Sequence, residues 1–73
     1  MNSPKLILEF IIKEKAQGNT FQELTIQMRI MMKGINVKAI LNGEMSDDAT
    51  IINKLKDIAK EFDVNLSKME INN

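Results

Sequence analysis

Ser46-Asp47-Asp48-Ala49-Thr50-Ile51-Ile52-Asn53-Lys54-Leu55-Lys56-Asp57-Ile58-Ala59-Lys60-Glu61-Phe62 is the stretch that decides the fold class. Ile51, Ile52, Leu55, Ile58, Ala59 and Phe62 recur at the three- and four-residue spacing that gathers side chains on one side of an α-helix. Lys54, Lys56, Asp57, Lys60 and Glu61 fill the other side, so the segment reads as an amphipathic helix with one face to bury. Ser46 supplies a capping residue. Asp47 and Asp48 put acid in the first turn, where the helix dipole favours negative charge. Asp63-Val64-Asn65-Leu66 closes the helix, giving an expected span of 47–62 and a further turn over 66–71.

Upstream, glycine and proline punctuate the chain where helices should begin or end. Ser3 can cap and Pro4 suits a first helical position, because its missing N–H costs nothing there. Leu6, Ile7, Phe10 and Ile11 then follow helical spacing, and Gln17-Gly18-Asn19 ends a helix expected over 3–17. Thr20 with Glu23 three residues on has the form of a capping box, opening a helix over 20–31 with Leu24 and Met28 directed to the core and Ile30 to Met32 following on the same side. Gly34 interrupts. Val37, Ile40 and Leu41 form a short stripe within a helix expected over 34–42, and Asn42-Gly43 is its stop. The expectation is one all-α domain over 1–73, a compact four- to five-helix bundle.

Composition narrows the chemistry. The 73 residues contain no cysteine and no histidine. That removes disulfides, thiol nucleophiles, zinc sites and the commonest general base. Glu44, Asp47 and Asp48 lack calcium-loop spacing and read as a helix start. No glycine-rich phosphate loop occurs, so neither an enzyme, a metal nor a cofactor is expected. Apolar residues make up 44% and charged residues 27%, which is a globular balance. With only three aromatic residues, the core must be aliphatic and methionine-filled. No apolar run approaches the length of a membrane span, and Met1-Asn2-Ser3-Pro4 lacks the pattern of a signal peptide, so a cytoplasmic protein is expected.

Net charge is zero, but it is unevenly placed. Met1–Gly43 holds six basic and three acidic residues, whereas Glu44–Asn73 holds four basic and seven acidic ones. The net charges of +3 and −3 can leave one face of the molecule basic.

The pattern of Thr20-Phe21-Gln22-Glu23-Leu24, Met28, Ile30, Val37-Lys38-Ala39-Ile40-Leu41-Asn42-Gly43 and the Leu55–Leu66 segment resembles the Cro/repressor-type (XRE) helix-turn-helix family. The resemblance spans roughly Leu6 to Met69 and is most specific from Val37 onward. It implies a repressor-like helix-turn-helix bundle. It also implies a DNA-contacting set: Lys33, Asn36 and Lys38 on the recognition helix, Thr20 and Gln22 at a helix N-terminus facing phosphate, and Asn42 just beyond the recognition helix. Too few phosphate contacts come from one copy, so this reading implies a homodimer, with Val64, Leu66 and Met69 in its surface.

Several residues depart from the pattern. Thr25 replaces the usual small alanine, Arg29 replaces a turn glycine, and the 30–36 turn is about two residues long for the family. Arginine and glutamine, frequent readers of base edges, are missing from the recognition face. Two functions therefore stand. The first is a small DNA-binding transcriptional regulator acting on double-stranded DNA, favoured by the charge split and the resemblance. The alternative is a non-enzymatic protein–protein interaction module, an antagonist or adaptor on a degenerate helix-turn-helix scaffold. It would use an apolar surface around Met31, Met32 and Ile35, and zero net charge and the weak reading face favour it.

Overall fold

The computed structural model describes residues 3–45 and 48–69. They form four α-helices in chain order: α1 (Pro4–Ala16), α2 (Thr20–Met31), α3 (Val37–Leu41) and α4 (Ala49–Glu61). A short 3₁₀ turn follows over Leu66–Lys68. Ser46 and Asp47, expected to open the last helix, and residues 70 and 71, expected in the final turn, lie outside the described residues. Asp48 caps α4, its Oδ1 accepting from the N–H groups of Thr50 and Ile51. None of the helices among the described residues is long and apolar enough to cross a membrane.

α1 is the central element and touches α2, α3, α4 and the 3₁₀ turn. It begins as expected, with Ser3 Oγ accepting from Leu6 N–H and Pro4 in the first turn. Its buried side is Ile7, Leu8, Ile11, Ile12 and Ala16, a stripe rotated from the expected one. Leu6 is largely exposed and Phe10 half-buried. The wide stripe suits a helix with neighbours on several sides. Leu55, Ile58, Ala59 and Phe62 of the deciding segment are all buried against the same core, with Ile51 and Ile52 at its margin.

The ends of α3 and α4 use the same device. Glu44 N–H donates to Ala39 O and Gly43 N–H to Ile40 O, while Val64 N–H donates to Ala59 O and Asp63 N–H to Lys60 O. Both are Schellman closures, which need a left-handed residue just past the cap. Gly43 takes that conformation freely at φ 78°, whereas Asp63 takes it with a Cβ at φ 60°.

Candidate functional site: the outward face of α2

α2 has the expected bounds but not the expected cap or roll. Asn19, not Thr20, is its N-cap: Asn19 Oδ1 accepts from Gln22 N–H at 3.1 Å, and Thr20 is the first helical residue. Asn19 lies in extended backbone, as a cap requires, and its short side-chain amide reaches the orphan N–H three residues on. The Thr20–Glu23 capping box is therefore replaced by an asparagine cap one residue earlier.

Roll is the larger correction. Ile26 and Ile30, one turn apart, are the buried residues of α2. Leu24 and Met28, expected in the core, are on the outside. Two features set this roll. Ile35, just past the turn, is buried in the same core cluster as Ile30. Arg29 and Lys33, on the flank of the buried edge, both lie against the buried Phe62 ring, at 5.5 and 5.9 Å from its centroid. Lys33 Nζ also donates to Glu61 Oε2 at 2.6 Å, tying the end of α2 to α4.

The consequence is an apolar stripe facing solvent. Phe21 is 80% exposed, Leu24 56%, Met28 61%, Met31 51% and Met32 85%. Phe21, Leu24, Met28 and Met31 alternate steps of three and four residues, the spacing of a helix-pairing seam, and Met32 widens its end. Taking roughly 200 Å² for each large side chain, these five expose on the order of 600 Å² of apolar surface. That matches the upper end of roughly 300–600 Å² for the largest patch on a typical monomer. The flanks are uncharged: Thr20 and Gln27 border one side, Thr25 and Met32 the other. Thr25 Oγ1 donates to Phe21 O, so its hydroxyl is turned to the helix's own backbone.

The other expected site residues are dispersed. Thr20 and Gln22 are exposed at one end of α2, and Lys33 follows its other end. A twelve-residue helix separates them by about 18 Å. Asn36 is the N-cap of α3, with Oδ1 accepting from Ala39 N–H at 3.2 Å, so its side-chain oxygen is already engaged. α3 runs for five residues rather than over 34–42, because Gly34 adopts φ 89° and Ile35 and Asn36 stay non-helical ahead of Val37. On α3 and its C-cap, Lys38 and Asn42 are the exposed polar residues, and the N-cap Asn36 is exposed as well. Ile35 is 3% exposed and belongs to the core, not to the surface with Met31 and Met32. Val64, Leu66 and Met69, the expected dimer residues, are half-buried against the core margin.

A shallow cleft of about 320 Å³ between α1, α2 and α3 is lined by Glu9, Ile12, Lys13, Glu23, Gln27 and Leu41. It offers charged and amide groups but no hydroxyl, thiol or imidazole. Among the described residues no three acidic side chains gather as a cation site. Phe21 and Leu24 are the site residues that sequence reasoning missed. Their signal is present in the sequence as a second, competing helical stripe on α2. In comparisons with known proteins, no family model, curated protein or solved structure matches the chain.

Proposed function

We propose that this protein is a non-enzymatic protein-interaction module that docks through the outward face of α2, on a degenerate helix-turn-helix scaffold of the repressor type. The observation behind this reading is the five-residue apolar stripe Phe21, Leu24, Met28, Met31 and Met32, left in solvent by a helix whose opposite side is packed. Removing such a surface from water is favourable at roughly 25 cal/mol per Å² before the costs of association. Methionine adapts its shape to a partner, and phenylalanine gives the patch an anchor. The DNA-facing alternative has less to work with. Lys33 is paired to Glu61, the side-chain oxygen of exposed Asn36 is engaged as a cap, and α3 with its C-cap adds Lys38 and Asn42 as exposed polar side chains.

The test sets the two faces against each other. Met28→Asp is expected to abolish capture of a partner protein while leaving helix content unchanged, and Lys38→Glu is expected to leave capture intact. A labelled random-sequence duplex, titrated at low and moderate salt, should show no salt-dependent rise in anisotropy. Steep salt-dependent binding that Lys38→Glu weakens and Met28→Asp spares would overturn the proposal in favour of DNA binding.

A further inference from the structure

We infer that the occupant of the α2 face is a second copy of this chain, paired α2 to α2 about a two-fold axis; this rests on the docking reading above. Three observations point to a self-pair. The first is spacing: Phe21, Leu24, Met28 and Met31 give a seam about one and a half heptads long. An identical helix presents the same seam, as an isologous contact requires.

The second is charge. In an antiparallel pair each flank meets its own copy, and in a parallel pair the two flanks meet each other. A charged flank would repel itself in the antiparallel arrangement. Here the flanking residues are Thr20 and Gln27 on one side and Thr25 and Met32 on the other, so neither orientation sets like charges together. The neighbouring cations, Arg29 and Lys33, are turned toward Phe62 of their own chain. A neutral rim gives a charged partner nothing to read, whereas a second copy needs nothing more than neutrality.

The third is area. On the order of 600 Å² from each of two copies, at roughly 200 Å² per large side chain, makes about 1,200 Å² in all. That reaches the lower bound of specific interfaces, about 1,200–2,000 Å². The pair is therefore expected to form and dissociate with concentration rather than to be permanent. A chain this small also buries a modest fraction of its surface alone, and self-pairing adds to its apolar burial.

Sedimentation equilibrium of the full chain over a range of concentrations tests the inference. The wild type should pass from the mass of one chain to that of two. Met28→Asp sets a carboxylate into the seam twice per dimer and should raise the dissociation constant roughly 100-fold or more, with circular dichroism unchanged. Leu24→Gln, which adds no charge, should weaken the pair in the same direction, and Lys38→Glu should pair like the wild type. A wild type that stays monomeric throughout overturns the second copy, as does a dimer that Met28→Asp and Leu24→Gln both leave intact. A monomer that still captures another protein, with capture lost in Met28→Asp, keeps the docking face with a different occupant. A monomer that captures nothing through this face removes both readings.

Discussion

α4 and α2 are nearly equal in length and feed the same core, yet they treat water differently. α4 is apolar on one side, and Leu55, Ile58 and Ala59 go inward while lysines and acids face out. α2 is apolar on two sides. Ile26 and Ile30 go inward, and Phe21, Leu24, Met28 and Met31 stand roughly opposite them in solvent. Packing alone accounts for α4, because none of its large apolar side chains is left exposed. It does not account for α2, where most of the large apolar side chains lie outside the core. A helix with a second unburied stripe has a use for it, or it is an aggregation liability.

The sharpest way to break this comparison is to truncate both helices and measure urea unfolding at dilution, where the chain is monomeric. Leu55→Ala and Ile30→Ala, both at fully buried sites, should each cost about 2–5 kcal/mol. Leu24→Ala and Met28→Ala should stay within about 0.5 kcal/mol, as exposed positions do. Equal losses at Met28 and Ile30 would mean that the two sides of α2 are not distinct.

Smaller effects test what sets the ends and the roll of the helices. Asn19→Ala should cost about 1 kcal/mol by removing the cap on Gln22 N–H, and Thr20→Ala no more than a few tenths. The reverse order in thermal unfolding would restore the Thr20 cap. Asp63→Gly should stabilise the chain by about 0.5–1 kcal/mol, since it relieves a left-handed residue at the end of α4. Lys33→Gln should cost under about 1 kcal/mol, and the cost should shrink in high salt, because its partner Glu61 is exposed. A large salt-independent loss would show that the contact with Phe62, not the surface pair, holds Lys33.

The fold was legible where one periodicity ruled. Leu55, Ile58, Ala59 and Phe62 admit a single helical face, and Ser3-Pro4 and Asn42-Gly43 admit a single reading as start and stop. The candidate site was legible in part. Met31 and Met32 are adjacent, so both could not enter one core, and both are exposed. Ile35 was misread because its burial depends on how the chain leaves the left-handed turn at Gly34, φ 89°, and on the core cluster it then joins, neither of which is set by the residues next to it. Leu24 and Met28 were misread because α2 carries two stripes of correct helical spacing. Which one turns inward depends on contacts made elsewhere: Ile35 joining Ile30 in the core cluster, and Arg29 and Lys33 against Phe62.

The central claim is which side of α2 faces water, and methyl NMR of the dilute monomer with a soluble paramagnetic agent reads it most directly. The account predicts strong relaxation of the Leu24, Met28, Met31 and Met32 methyls and protection of those of Ile26 and Ile30. Protected Leu24 and Met28 methyls with relaxed Ile26 and Ile30 would contradict it, because α2 would then be rolled half a turn with its second stripe in the core.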